Sequence, residues 1–515
     1  MKSKSIRTTV STLMASSVIG LAAQPALAVI DLGEGWRLQG WARQYLSYNL
    51  EDVRETQQDD QYDLSMNRQS LFLDITGPTG PLRWTGRLRL TNEFITNYEE
   101  RLEDLTATIP GNRADFNGEY QETDFRELFF DWQASDRLAL RIGRQQVVWG
   151  ETDFFHATDV IHGFDLRWRK FLVPENEDVR KPLILLNGTI DIPEWDGQLQ
   201  LVVRPGLDNE DWIGNSIPAF GGRWSNSAGK GFNFVSEVQG GVADYNYSHS
   251  DGDTDDAHYG FRWSGVALLG GEEVNYAFNY YHGQSGFYQD PTVTLDFTET
   301  VNGNPLQFIF PETDTVGGSL SGYIPAIDSV YRLEVAYTPD RKMSTMNLMP
   351  VAALGGALQP FQLVEEDTWN LVVGLDTNLR IQDVIGTSNA SLLSIQIFDW
   401  FIPGVDESDG LIRFDGSGVF DEHNTIATMI LSNPFMNDKL NFTLVALADL
   451  TEGGGMFIPS VQYDYGAHWR FKAELDLAYG GDTTDPAVGF PPDTGSVFGA
   501  LRDDDQLMFR ITYQF

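Results

Sequence analysis

The sequence contains no cysteine, and this absence removes several kinds of site at once. A chain without thiols has no disulfide framework, no thiol nucleophile and no thiolate metal ligand. Basic residues are also scarce, with 35 Lys and Arg against 74 Asp and Glu and a formal net charge of −39. Because binding to nucleic acid depends on cationic contacts with phosphates, the composition argues against a nucleic-acid partner.

Long hydrophobic runs are missing as well. Beyond the first 28 residues, no apolar run approaches the roughly 20 residues that a membrane-spanning helix needs. The mean hydropathy is −0.26, which is polar on average. A membrane β-barrel hides its lipid-facing residues at alternate positions, so a polar average is compatible with one. The 50 Gly, 32 Phe, 19 Tyr and 13 Trp suit tight turns and interfacial aromatic belts.

The amino-terminal residues have the pattern of a secretory signal. Lys2, Lys4 and Arg7 precede a short apolar run at 13–21, and an A-x-A-like cleavage site follows at 26–28. The run is too short to span a membrane as a helix. We therefore expect a cleaved signal peptide over residues 1–28 and a mature chain from Val29.

The last strand of the sequence alternates apolar and polar residues. One face holds Leu507, Phe509, Ile511, Tyr513 and Phe515. Side chains alternate across a strand, so Arg510 and Thr512 fall on the opposite face. A final strand that ends in Phe resembles the signature of bacterial outer-membrane barrels, whose assembly machinery recognises that terminus. This resemblance implies that Phe515 is an assembly signal and that the protein lies in the outer membrane of a Gram-negative bacterium.

Similar alternation recurs along the chain in segments of about 10 residues, the length of a tilted membrane strand. Short connections such as 77–81 and 134–137 alternate with long ones such as 149–181, 205–230 and 338–367. This is the pattern of a transmembrane barrel with short periplasmic turns and long external loops. We predict an all-β, transmembrane antiparallel β-barrel of about 16–20 strands, with 20 as the best estimate of the strand number. Residues 29–515 are expected to form this single domain without a plug domain.

Arginines concentrate on the polar faces of the predicted strands, and acids concentrate in the loops. The lining charge of a barrel sets its selectivity, so an arginine-lined lumen would guide an anionic or amphipathic solute. The alternative is that these arginines pair with neighbouring Glu and Asp and only brace the interior. The candidates are Arg83, Arg87, Arg89, Arg141, Arg262, Arg332, Arg470 and Arg510.

The 149–181 connection is unusually aromatic for a loop that faces only water. Long apolar loops are often functional, so we interpret this one as folded into the barrel, where it would form a constriction or a solute-contact surface. The alternative is an external loop that packs on its neighbours. The contact candidates are Trp149, Phe154, Phe155, His156 and Phe164.

Residues 141–151 read R-I-G-R-Q-Q-V-V-W-G-E. They resemble the R-x-G-R-Q-x-V-x-W-G-E hallmark of the outer-membrane barrel family catalogued as domain of unknown function 1302. Residues 331–340, YRLEVAYTPD, resemble the later E-x-x-Y-x-P strand end of that family. The first motif is also distantly similar to alginate-export barrels. The resemblance implies traffic of hydrophobic organic compounds, with a periplasmic lipoprotein and an exporter as partners, and it supplies no catalytic residues.

Metal and catalytic sites have weaker patterns. Asp251, Asp253 and Asp255 have calcium-loop spacing, but Arg262 stands where such a loop needs a Glu, which favours a solvated acidic loop. His156 and His162 lie among Asp153, Asp159 and Asp165, and a His–Asp pair can activate water. No serine motif accompanies them. We therefore expect no metal, no cofactor and no enzyme activity.

Together these patterns favour an outer-membrane channel or transporter for small organic solutes that are hydrophobic or amphipathic. The alternatives are a structural or adhesive barrel with a closed lumen and, less favoured, a barrel hydrolase. The expected partners are outer-membrane lipid and lipopolysaccharide, the barrel assembly machinery and the small-molecule solute.

Overall fold

The computed structural model describes residues 29–52, 56, 58–105, 114–152, 154–169, 176–225, 230–235, 242–284, 291–413, 418–480, 496 and 498–515. The expected signal peptide, 1–28, lies outside these residues. Among the helices within these ranges, none is both long enough and apolar enough to cross a membrane.

Eighteen antiparallel strands form a closed barrel, in which each strand pairs with its neighbours in chain order. Their bounds are β1 Trp36–Asn49, β2 Leu64–Thr79, β3 Leu82–Glu93, β4 Glu122–Gln133, β5 Leu138–Gln145, β6 Leu183–Ile192, β7 Gly197–Arg204, β8 His258–Leu269, β9 Glu272–Gln284, β10 Glu312–Ile324, β11 Ser329–Thr345, β12 Gln362–Leu379, β13 Ser391–Phe401, β14 His423–Phe435, β15 Leu440–Asp449, β16 Gly455–Tyr465, β17 Trp469–Tyr479 and β18 Gln506–Gln514.

The barrel closes where β18 pairs with β1, in a ladder that runs from Trp41 opposite Gln514 to Asn49 opposite Gln506. Phe515 extends this ladder, because its N–H donates to the Gly40 carbonyl at 3.0 Å and its carbonyl accepts the Gly40 N–H at 2.7 Å. A Cβ at Gly40 would lie 2.2 Å from the Phe72 carbonyl oxygen and 3.1 Å from the Phe515 ring. A glycine is therefore needed where the two ends of the sheet meet.

The two faces of the strands differ in the way that the sequence predicts. In β18, Phe509 and Ile511 are 38% and 37% exposed, whereas Arg510 and Thr512 are 9% and 3% exposed. Apolar side chains thus face outward and polar ones face the interior, which is the arrangement of a transmembrane barrel. The predicted alternation is confirmed.

Eighteen strands fall within the predicted range of 16–20 but are two fewer than the best estimate. The connection that starts after Arg204 does not end near residue 230 but continues to β8 at His258. The loop predicted at 338–367 is shorter in the structure, since β11 runs to Thr345 and β12 begins at Gln362. The ladder of these two strands extends well above its neighbours, because residues 341–345 pair with 362–366 across a bulge.

Shorter elements decorate the barrel. A strand at Ile30–Gly33 pairs with β1. Small sheets in the connections join Asp244–Tyr245 with Leu306–Ile309 and Thr292–Leu295, Ser248–His249 with Gly252–Asp253, and Met349–Val351 with Ala357–Gln359. The α-helices are α1 Asn97–Leu105, α2 Phe116–Glu119, α3 Asn176–Val179 and α4 Gln382–Ile385.

The pairing between strands of the wall changes at the first motif, residues 141–151. The β4–β5 ladder stops at Leu128 opposite Arg144, although β4 continues to Glu122 and pairs with β3. Side chains bridge the two segments beyond that point: the Gln146 N–H donates to Glu127 Oε1 at 2.9 Å, and Arg144 donates to the Phe125 carbonyl at 2.7 Å. Because the β4–β5 ladder ends there, the chain after β5 leaves the wall of the barrel and continues into the 149–181 connection.

Candidate functional site

The first contact of the 149–181 segment with the barrel interior is Trp149, which is 1% exposed. Its indole N–H donates to Gln200 Oε1 at 2.9 Å, on the inward face of β7. Its ring meets Tyr281 of β9 edge-on, with centroids 6.2 Å apart. Both ends of this side chain are satisfied, because the ring is packed and the N–H is bonded.

Glu334, on the inward face of β11, binds the next turn of the segment. Its carboxylate accepts the N–H groups of Glu151, Ala157 (3.3 Å) and Thr158 (3.1 Å), together with the Thr158 hydroxyl at 2.9 Å. Hydrogen bonds to a charged acceptor are roughly twice as strong as neutral ones. Glu334 is the Glu of the second motif and Glu151 is the last residue of the first, so the two motifs contact each other.

Arg332 reinforces the same turn from one inward position below. It donates to the Glu151 carbonyl at 3.0 Å and forms an ion pair with Asp376 of β12 at 2.6 Å. Arg262 of β8 lies 3.8 Å from the Glu151 carboxylate. Two strands, β8 and β11, therefore supply charged groups to one turn of the segment, and Asp376 of β12 holds Arg332 in place.

Phe155 reaches the opposite wall. Its ring meets Phe398 and Trp400 of β13 edge-on, at centroid distances of 5.1 and 5.5 Å. It is 2% exposed and belongs to an apolar cluster that extends across the inward faces of β11 to β16. Phe154 packs against this cluster and stays half-buried.

The end of the segment contacts the strands that close the barrel. Trp168 packs against Tyr45 of β1, with ring centroids 5.6 Å apart. The guanidinium carbon of Arg68, on β2, lies 4.4 Å from the centroid of the Trp168 ring. Arg169 is buried and pairs with Glu474 and, at 3.1 Å, with Asp476 of β17. Trp149 to Arg169 thus contact inward faces of β1, β2, β7, β9, β11, β13 and β17.

A polar cluster lies inside the segment itself. Arg180 pairs with Asp159 at 2.5 Å, and the half-buried His156 stacks on Phe164 at a centroid distance of 5.4 Å. His162 Nε2 accepts the Val147 N–H at 2.9 Å, and its Nδ1 lies 3.0 Å from the Lys181 carbonyl. Burial lowers the pKa of His156 to about 4 and that of His162 to about 3, so both imidazoles are neutral at pH 7.

This cluster bears on the His–Asp pairing that the sequence suggested. Both ring nitrogens of His162 are used by the backbone, and the Asp159 carboxylate is held by Arg180. Asp153 lies outside the described residues, and Asp165 pairs with Arg167 at 2.9 Å. The histidines are thus part of the packing of the segment.

The eight arginines predicted to line the lumen stand on six strands between β3 and β18 and do not form one ladder. Most have a carboxylate neighbour on the adjacent strand or on the segment. Arg83 is exposed at the end of β3, and Arg510 is buried in β18. The pairs are Arg87 with Asp74 (3.2 Å) and Glu127, Arg89 with Glu122 (2.9 Å), Arg141 with Asp131 (2.7 Å), Arg262 with Glu151 (3.8 Å), Arg332 with Asp376 (2.6 Å) and Arg470 with Asp464 (3.9 Å).

Several residues that hold the segment were not singled out from the sequence. Arg169 and Arg180 were missed because they stand in a loop, where a charged side chain is usually solvated. A signal did exist on the wall, since Glu474 and Asp476 are two acids on one strand face. Buried carboxylates need a cation, and Lys472 at 2.5 Å from Glu474 supplies only one.

Comparison with known proteins gives a family. A family model described as "Protein of unknown function (DUF1302)" matches residues 10–515. No curated protein matches the sequence.

Among solved structures, a BenF-like porin from Pseudomonas fluorescens aligns with a TM-score of 0.44 at 8% identity, over 93% of this chain and 98% of that chain. Salmonella typhi OmpF in complex with daunomycin aligns with a TM-score of 0.37 at 10% identity, over 95% and 100%. A mutant porin of Rhodopseudomonas blastica gives 0.36 at 11% identity, over 93% and 100%. At these identities no solute and no residue role is transferred. From the family match, which spans nearly the whole sequence, the chain belongs to the DUF1302 family.

Proposed function

We propose that this protein is an outer-membrane channel or transporter for small organic solutes of hydrophobic or amphipathic character. In this proposal the 149–181 segment lies across the lumen and forms its constriction. The observation that supports it is the span of the contacts: residues 149–169 touch inward faces of strands around most of the ring. A segment held only at an outer rim would contact neighbouring loops or the one or two strands that flank it.

The five contact candidates divide into two groups by burial. Trp149, Phe155 and Phe164 are at most 9% exposed and pack against other side chains, so their role is to hold the segment in place. Phe154 and His156 are half-buried and keep accessible surface. These two side chains are therefore the best candidates for contact with a passing solute, since one offers an apolar ring and the other a neutral imidazole.

A structural or adhesive barrel with a closed lumen is the second candidate. The observation that favours it is the amount of apolar packing inside the barrel. Phe155 and Trp224 from two connections, with Phe498 from a third, share one cluster with the wall. Such a filled interior would pass neither ions nor organic solutes unless part of it moved.

Permeation through proteoliposomes distinguishes the two candidates. Liposomes that contain the protein should release an amphipathic organic anion faster than they release sucrose, and protein-free liposomes should release neither. The double replacement Phe154→Ala with His156→Ala should reduce the preference for the organic anion. Phe125→Ala is the matched control, because Phe125 is 60% exposed on the outer face of β4. Liposomes that retain both solutes would favour the closed barrel.

The position of the segment can be tested separately, because the chain has no native thiol. Thr158 is 1% exposed beneath Glu334, so a cysteine placed there should resist a bulky impermeant maleimide on intact cells. A cysteine at the exposed Ser250 should be labelled at once. Rapid labelling at position 158 would reject the inward segment.

A further inference from the structure

A buried histidine meets two carboxylates where two long connections come together. His249 lies in the connection between β7 and β8, and its side chain is 3% exposed. Its Nε2 atom makes no hydrogen bond within the described structure, although it is buried. Asp296 Oδ2 lies 3.4 Å from this nitrogen and Glu299 Oε2 lies 3.9 Å from it. Both acids belong to the connection between β9 and β10.

Backbone donors orient the two carboxylates towards the histidine. Asp296 Oδ1 accepts the N–H of Thr298 at 2.6 Å and that of Glu299 at 3.2 Å, which leaves Oδ2 for the imidazole side. Glu299 Oε2 accepts the Ser250 N–H at 3.0 Å. The three ligand atoms lie within 4.8 Å of one another. Two ligands about 2 Å from a tetrahedral ion are roughly 3.3 Å apart, close to the His249–Asp296 distance.

The charge balance of the cluster also favours a cation. Asp296 and Glu299 approach each other around an imidazole, with Asp251 as a third acid 3.7 Å from Nδ1. Among the described residues, Lys342 is a nearby cation, and it lies 3.5 Å from Asp251 and 2.6 Å from Glu365, so it is shared between two other acids. Like charges at this spacing disfavour one another unless a positive charge lies between them.

The tautomer of the ring sets a condition for binding. Nδ1 accepts the Asp251 N–H at 3.1 Å, which places the ring proton on Nε2 when no cation is present. A cation at Nε2 must displace that proton, and Nδ1 then becomes the protonated nitrogen. The Asp251 carboxylate is close enough to accept the Nδ1 proton after a small turn of its loop, and histidines that bind metals usually have such an acceptor.

We propose that His249, Asp296 and Glu299 bind a divalent transition-metal cation of the zinc class. The cation would link the β7–β8 connection to the β9–β10 connection. One imidazole and two carboxylates form a nitrogen–oxygen ligand set that suits Zn²⁺, whereas Ca²⁺ and Mg²⁺ prefer oxygen ligands alone. The same connections already meet in the small sheet of Asp244–Tyr245, Leu306–Ile309 and Thr292–Leu295, so the ligands are brought together before a cation arrives. This site is independent of what the barrel transports.

The three ligands were not found from the sequence because the acids stand nearly 50 positions after the histidine. The acidic run that the sequence did single out has another structure: Asp253 Oδ1 accepts the Asp255 N–H at 2.9 Å, as in a turn. The preference for a solvated acidic loop over a calcium loop therefore stays a prediction. In the proposed site Asp251 is not a ligand and lies beside the Nδ1 atom of His249.

Zn²⁺ titration of the full-length folded protein tests the proposal. Calorimetry should give one site in the wild-type protein, weakened by about tenfold or more in His249→Ala and in Asp296→Asn. His423→Ala is the matched control, because His423 lies 2.8 Å from a single carboxylate, Asp399, and has no third ligand among the described residues. Heat-modifiable mobility on gels should show that every variant is folded.

Three results would overturn the proposal: no binding by the wild-type protein, equal loss in His423→Ala, or unchanged affinity in His249→Ala. The last would mean adventitious binding by surface acids. Protease protection supplies a second readout. Zn²⁺ should slow cleavage within 242–311 in the wild-type protein and leave the rate unchanged in Asp296→Asn. Slowing to the same extent in both proteins would also count against the site.

Discussion

At the scale of single residues, Glu334 is the most heavily used contact of the 149–181 segment. One carboxylate accepts three backbone N–H groups and one hydroxyl, and all of these donors belong to residues 151–158. A carboxylate suits this position because it has acceptors on both oxygens and no hydrogen of its own. A neutral amide would present two N–H groups to some of the same donors.

We predict that Glu334→Gln loosens the segment without unfolding the barrel. A hydrogen bond to a charged group contributes roughly 1.5–3 kcal/mol, and about 1.4 kcal/mol corresponds to a tenfold change in an opening equilibrium. Hydrogen exchange at the Ala157 and Thr158 amides should therefore accelerate by about tenfold or more. Glu365→Gln, a substitution at an exposed pair with Lys342, should leave that exchange unchanged. Equal exchange rates in the wild-type protein and the Glu334→Gln variant would show that the contact is dispensable.

The buried His162 predicts a dependence on acid. Burial holds the pKa of His162 near 3, below its ordinary 6.5, so the folded segment excludes a proton that the opened segment binds. The contribution of His162 to the stability of the segment should be constant above pH 6.5 and should fall as the pH drops from 6.5 towards 3. His162→Gln, which can still accept from Val147, should reduce this dependence, as followed by hydrogen exchange at pH 7 and pH 5. An acid dependence of the same size in both proteins would contradict the assignment.

At the scale of strands, much of the fold follows from alternation in the sequence. The faces of β18 and the strands of the closed barrel were predicted from that period of two, whereas the connections predicted at 205–230 and 338–367 have other bounds in the structure. The strand count was harder to predict, because residues between 205 and 257 contain aromatic and apolar positions that can be read as strands. Among those that are described, Tyr245 packs on another connection, against Phe308 at 5.5 Å, and Trp224 packs against the inner side of the wall. Alternation alone cannot distinguish a strand in the wall from an extended segment over it.

The two faces of β18 should respond differently to the same substitution. Arg at a lipid-facing position near the membrane centre costs roughly 2–4 kcal/mol, whereas an inward position offers polar neighbours. Phe509→Arg should therefore impair assembly far more than Thr512→Arg. The fraction with heat-modifiable mobility measures assembly, and equal loss in both variants would contradict the orientation of the strand.

Phe515 can contribute to barrel assembly through its backbone or through its ring. The Phe515 backbone extends the closing ladder to Gly40, and its ring packs near Tyr513 at a centroid distance of 6.3 Å. If the ring is the assembly signal, Phe515→Ala should insert as poorly as a chain that lacks residue 515. If only the ladder matters, Phe515→Ala should insert normally and the deletion should not. Normal insertion of both variants would remove the signal and the ladder as requirements.

At the scale of the whole molecule, the interior combines apolar clusters with paired charges. Arg169, Glu474 and Asp476 form one buried group, and Arg223 with Glu93 and Glu99 forms another. Removing one partner from such a group leaves a buried charge without compensation. Because the partners come from a connection and from the wall, the connection and the wall stabilise each other. The sequence indicated an aromatic segment that would enter the barrel, but it could not show which wall residues it meets. Arg169 and Glu474 are separated by 305 positions, and only the closed ring brings them together.

Single-channel conductance in planar bilayers tests the central claim most directly. Deletion of residues 154–158 removes Phe155, Thr158 and their contacts with β11 and β13, whereas deletion of 352–356 removes exposed residues at the tip of an outer connection. We predict that the first deletion raises the unit conductance while the barrel still assembles, because the segment across the lumen is shortened. The second deletion should leave the conductance at the wild-type value. Equal conductance in all three proteins would contradict a constriction formed by the 149–181 segment.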